Sequence, residues 1–83
     1  MNETNESRDD LSLRLTLEEL KTQFPGKTML TVQETAQAYG FKNVQSIYNA
    51  MRKNAANPFP VKPIKRCGKW YWNIVHVAAD MAS

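Results

Sequence analysis

The 83 residues carry a formal net charge of +3 at pH 7, unevenly divided: residues 1–20 hold six acidic side chains against two basic, and residues 21–83 hold nine basic against two acidic. A chain this short builds one small domain with a core contributing roughly 3–5 kcal/mol, which favours a partner-binding surface over a deep catalytic pocket, and the basic majority suits a surface that meets phosphates. The single cysteine, Cys67, excludes an internal disulfide and a multi-cysteine zinc site within the chain, and no apolar run approaches the ~20 residues of a membrane span.

Residues 1–10, MNETNESRDD, are polar and acidic. They are wrong for a secretory signal and are expected to form a disordered acidic tail on a cytoplasmic protein. Residues 11–28 form a leucine-rich arm. Leu11, Leu13, Leu15 and Leu17 alternate like a half-buried strand, whereas Leu13, Leu17, Leu20 and Phe24 share one helical face. Thr16 and Glu19 have capping-box spacing, which favours a helix from Leu17 to about Phe24 behind a short extended lead-in. Pro25-Gly26 closes it as a turn. Residues 11–24 then either cover the core or supply a contact for self-association or for another protein.

The stretch LTVQETAQAYGFKNVQSIYNAMRKN, residues 30–54, reads as two short helices and a tight turn. Thr31 and Glu34 form a capping box, Val32, Ala36 and Tyr39 give the first helix an apolar face, and Gly40 suits its left-handed end. Asn43 is a good N-cap for a second helix over about residues 44–54. Its inward stripe is Val44, Ile47, Tyr48 and Met51; Gln45, Ser46, Asn49, Arg52 and Lys53 occupy the other side. Asn57 before Pro58 ends that helix, and two prolines around Phe59 make a stiff linker able to pin its ring on the core.

VKPIKRCGKWYWN, residues 61–73, reads as a β-hairpin with Cys67-Gly68 at its tip. That turn pairs Arg66 with Lys69, Lys65 with Trp70, Ile64 with Tyr71 and Pro63 with Trp72. One face then holds Trp70 and Trp72, directed at the helices. The open face holds Lys62, Arg66, Lys69 and Tyr71. Lys65 on the inner face and Ile64 on the outer are misfits. Asn73 caps a closing helix with Ile74, Val77, Ala78 and Met81 on one side. In sum, residues 29–83 describe an α+β, mainly α domain: a winged helix-turn-helix with a two-stranded β-hairpin wing and a closing C-terminal helix.

"LTVQETAQAYGF", "SIYNAMRK" and "NPFPVKPIKRCGKWYWN" together resemble the small excisionase-like and AlpA-like DNA-binding proteins, relatives of the MerR-type winged helix. The resemblance covers about residues 29–81 and rests on the order and spacing of the motifs. It implies a prophage- or plasmid-type regulator, or a factor that sets the direction of site-specific recombination, placed in the cytoplasm with the nucleoid. Ala50 stands where such relatives often carry a large aromatic residue, and the leucine arm lies outside the family pattern.

The expected partner is double-stranded DNA. A second helix in the major groove presents Gln45, Ser46 and Asn49, with Gln45 and Asn49 of the type that pairs with adenine and Arg52 of the type that pairs with guanine. Lys42 and Lys53 suit phosphate. In the wing, Lys62, Arg66 and Lys69 suit backbone or minor groove, and Tyr71 a phosphate. The alternative for every one of these residues is an ordinary solvated surface. At the level of the whole chain the alternative is a protein–protein adaptor built on the leucine arm and the tryptophans. His76 stands alone, and no nucleophile motif, phosphate-binding glycine loop or metal-ligand cluster is present, so no enzyme activity, cofactor, metal or small-molecule substrate is expected.

Overall fold

Leu13, Leu17, Leu20 and Phe24 do share one helical face, and the helix that carries Leu13, Leu17 and Leu20 is longer than the capping signal suggests. The structure, a computed structural model, describes residues 8–83, and α1 spans Arg8–Gln23. The tail expected to be disordered therefore lies outside the described residues except for residues 8–10, which are helical. The lead-in expected to be extended is helical too. Thr16, which the capping box would have placed at a helix start, sits half-buried inside α1. The reason is tertiary: α1 lies along α4, and only a helix turns Leu13, Leu17 and Leu20 to the same side. Leu20 and Phe24 enter the core, while Leu11 and Leu15 remain exposed.

A short strand that sequence patterning missed follows, β1 (Met29–Thr31). With β2 (Ile64–Arg66) and β3 (Lys69–Asn73) it forms a three-stranded antiparallel sheet in the order β1-β3-β2. The expected two-stranded hairpin is thus part of a larger sheet with β3 in the middle. Leu30 pairs with Trp72, and both side chains are fully buried. The Ile74 N–H continues the pairing by donating to the Thr28 carbonyl at 2.9 Å.

The hairpin has the expected register, Arg66 to Lys69, Lys65 to Trp70 and Ile64 to Tyr71. The ladder stops there, so Pro63 and Trp72 do not pair within it. Cys67 (φ 51°) and Gly68 (φ 77°) both adopt the left-handed conformation, as a two-residue type I′ turn requires.

Helix α2 (Val32–Tyr39) begins with the full capping box. The Glu34 N–H donates to Thr31 Oγ1 at 3.1 Å, and the Thr31 N–H donates to Glu34 Oε1 at 2.9 Å. Gly40, at φ 76°, ends it in the left-handed conformation. Helix α3 is shorter than expected: it spans Gln45–Ala50, and residues 51–54 form turns. Asn43 acts from one position outside the cap, its Oδ1 accepting the Gln45 N–H at 2.9 Å, while Val44 at the N-cap gives no side-chain bond. Ile47 is fully buried and Val44 and Met51 are half-buried, but Tyr48 is 40% exposed and so leaves the inward stripe.

The linker then crosses the core. The Phe59 N–H donates to the Ala50 carbonyl at 3.0 Å. The Phe59 ring stands edge-on to Tyr39 at 5.0 Å and to Trp72 at 5.7 Å between centroids. Helix α4 (Ile74–Ala82) starts at the expected cap, Asn73 Oδ1 accepting the Val75 and His76 N–H groups, and buries Ile74, Val77 and Ala78. The result is an α+β domain in which helices from both ends of the chain and the sheet share one core. Among the described residues no helix is long and apolar enough to cross a membrane.

Candidate nucleic-acid interface

Between positions 42 and 69 the sequence carries Lys42, Arg52, Lys53, Lys62, Lys65, Arg66 and Lys69 and no acidic residue. The two acids of residues 21–83 are engaged elsewhere. Glu34 holds the α2 cap and meets Lys27 at 3.3 Å, and Asp80 Oδ2 accepts the Tyr39 hydroxyl at 2.7 Å. Among the described residues none of the seven cations forms an ion pair. All seven are exposed.

The fold brings part of this set together around Trp70. On one side a concavity is lined by Tyr48 of α3, Gly68, Lys69 and Tyr71 of the hairpin, and the Trp70 ring. On the other, Arg52 from the turn after α3 and Lys62 from the linker line a second concavity that shares Trp70. Lys65 lies over the same ring, its Nζ 5.3 Å from the centroid, a separation at which the ammonium is attracted to the π face. This accounts for the misfit. Lys65 faces the tryptophan side without being buried, because the ring holds its charge at the surface.

The remaining residues sit around this centre. Gln45, Ser46 and Asn49 are exposed on α3, and Gln45 Nε2 donates to Asn49 Oδ1 at 3.0 Å. Ser46, Asn49 and Arg52 line a third shallow concavity. Lys42 lies apart, beside Gln33, Gln37 and Phe41 at the turn between α2 and α3. Arg52 and Lys53 fall beyond the end of α3, in the turn that follows it. Arg66 is exposed at the end of β2, and Tyr71 is half-buried in the central strand opposite Thr31 and Ile64.

Two residues of the interface were absent from the sequence-based set. Lys65 was excluded by strand alternation, which assigns a face but not the reach of a long side chain over that face. Tyr48 was assigned inward by helical spacing. It is exposed instead, and lines a concavity with the hairpin. Trp72 is fully buried, and Trp70 is half-buried against the core.

The environment of the two titratable groups beside the helices is structural. Partial burial raises the Glu34 carboxyl, but the Thr31 N–H, the Lys27 ammonium and the Thr31 hydroxyl outweigh it and hold the group below its ordinary value. Burial first, then the Asp80 carboxylate, push the Tyr39 phenol well up, so it remains a donor to Asp80. Among the described residues no cluster of three His, Cys, Asp or Glu side chains is arranged to hold a metal ion. Compared with protein-family models, curated proteins and solved structures, the chain has no match.

Proposed function

We propose that the chain is a small sequence-specific double-stranded DNA-binding protein whose grip is a winged helix-turn-helix. Helices α2 and α3 are the helix pair, α3 enters the major groove, and the β2–β3 hairpin is the wing laid along the backbone. The biological role is that of a prophage- or plasmid-type transcriptional regulator, as the motif resemblance implies. The observation that carries the reading is the gathering of Arg52, Lys62, Lys65 and Lys69 from separate segments around Trp70, within a stretch without acidic residues. Unpaired cations held on a rigid surface release counterions from the phosphate backbone when they bind, which is the main source of affinity for duplex DNA.

The shape of α3 refines the division of labour. Gln45, Ser46 and Asn49 occupy the exposed side of α3, the side that would face base edges. Arg52 and Lys53, beyond its end, suit phosphate, as do Lys42 at its start and Lys62, Arg66 and Lys69 in the wing. Tyr71, half-buried in the sheet, is of the type that can give a phosphate a hydrogen bond from its hydroxyl. The test is a titration of the full chain with a mixed-sequence duplex at increasing salt. If about six phosphates are contacted, affinity falls about a thousandfold between about 50 and about 200 mM salt. A chain that leaves duplex unbound at the lowest salt rejects the reading.

A further inference from the structure

We infer that Gln45 and Asn49 read DNA as one unit, Gln45 pairing with an adenine and Asn49 holding it in place; this rests on the DNA reading above. The two side chains lie one turn apart on the exposed side of α3, with Gln45 Nε2 donating to Asn49 Oδ1 at 3.0 Å. A primary amide has two N–H donors and one carbonyl oxygen. Adenine presents its N6 amino group and N7 side by side in the major groove, and a carboxamide meets them with its oxygen and the N–H on the same edge. The other N–H, remote from the oxygen, remains free for a neighbour. The bond to Asn49 and a bidentate pair with adenine are therefore compatible, and the first removes rotamer freedom that the second would otherwise have to freeze.

The backbone supports the same assignment. Gln45 is the first residue of α3, and its N–H is anchored to Asn43 Oδ1 at 2.9 Å. The reading side chain thus starts from a fixed point at the end of the helix that leads into the groove. Asn49 has turned its oxygen to Gln45, so it does not present a complete amide edge outward. It is a positioning residue, and Gln45 is the reader.

The full chain would first be used to select binders from a duplex library with a randomised core. Gln45→Ala, Asn49→Ala and the double variant would then be measured against the selected duplex and its single-base-pair substitutions. Both single variants should flatten discrimination at the same A·T pair, by about tenfold or more for Gln45→Ala. The double variant should match Gln45→Ala alone, since a unit broken once has nothing further to lose. Asn49→Asp, which keeps the acceptor, should retain the preference at that pair while weakening all sequences alike. Replacing that adenine by 7-deazaadenine should cost the unaltered protein affinity and leave Gln45→Ala unaffected. Flattening at two different base pairs, or losses that multiply in the double variant, would mean independent readers and overturn the unit. A chain that selects no duplex and binds none at low salt removes the DNA reading itself, a result distinct from independent readout.

Discussion

The Trp72 indole Nε1 donates to the Val61 carbonyl at 3.0 Å, and both residues are buried. This bond ties the central strand β3 to the linker that leads into the hairpin, and it gives the largest buried side chain a partner for its only polar atom. The Phe59 ring, two residues before Val61, packs edge-on to the same indole. The linker is therefore fixed to the sheet by both a hydrogen bond and an aromatic contact.

Trp72→Phe should destabilise the fold by about 2–4 kcal/mol. It removes the donor from a buried carbonyl and leaves a space where the larger ring stood. Urea unfolding followed by circular dichroism measures it. A loss below about 0.5 kcal/mol would show that the core collapses onto the smaller ring and that another group satisfies Val61.

The hairpin tip makes opposite predictions at neighbouring positions. Cys67 holds a left-handed backbone at a steric cost that asparagine tolerates better, so Cys67→Asn should stabilise by about 0.5–1 kcal/mol. Gly68→Ala introduces a side chain at φ 77° and should destabilise by about 1–2 kcal/mol. Nothing lies within 4 Å of the added Cβ, so the penalty would be conformational rather than a clash. Equilibrium unfolding of the two variants should shift the midpoint in opposite directions.

Thr35 is fully buried, and its hydroxyl has no hydrogen-bond partner among the described residues. Thr35→Val keeps the branched shape and removes the unsatisfied oxygen, so stability should rise by about 1 kcal/mol. A fall in the thermal midpoint would mean that the hydroxyl is satisfied in solution.

Glu34 predicts a pH dependence. Its folded-state pKa lies below the ordinary value of 4.5, so the unfolded chain takes up a proton first as pH falls. The contribution of the carboxylate is present in full above about pH 4.5 and is lost as pH falls through the lower folded-state value. Glu34→Gln should remove that part of the acid sensitivity, seen as a shallower fall in unfolding midpoint below pH 5, with the midpoint at pH 7 reduced by a weaker cap.

On the DNA reading, Arg52→Ala and Lys69→Ala should behave alike. Each should weaken binding to all sequences and reduce the slope of log affinity against log salt by about 1. Gln45→Ala should leave the slope unchanged. A change of sequence preference in Arg52→Ala would instead return Arg52 to base contact, despite its place beyond the end of α3.

Interactions between near neighbours were the legible part of this protein. Thr31 and Glu34 cap α2, Gly40 ends it, Cys67-Gly68 sets the hairpin register and Asn73 caps α4, because each depends on residues within a few positions along the chain. Strand β1 was not legible. Three residues carry no measurable alternation, and Leu30 becomes a strand residue only because β3 offers it an unpaired edge opposite Trp72. The full length of α1 was hidden for the same reason: the leucine spacing fits both a strand and a helix, and contact with α4 decides between them. At the candidate interface, residue types pointed to Gln45, Asn49 and the basic cluster. Only the assembled fold ended α3 at Ala50, turned Tyr48 outward, set Lys65 over Trp70 and brought Arg52 beside the hairpin, because these relations depend on distances across the chain rather than along it.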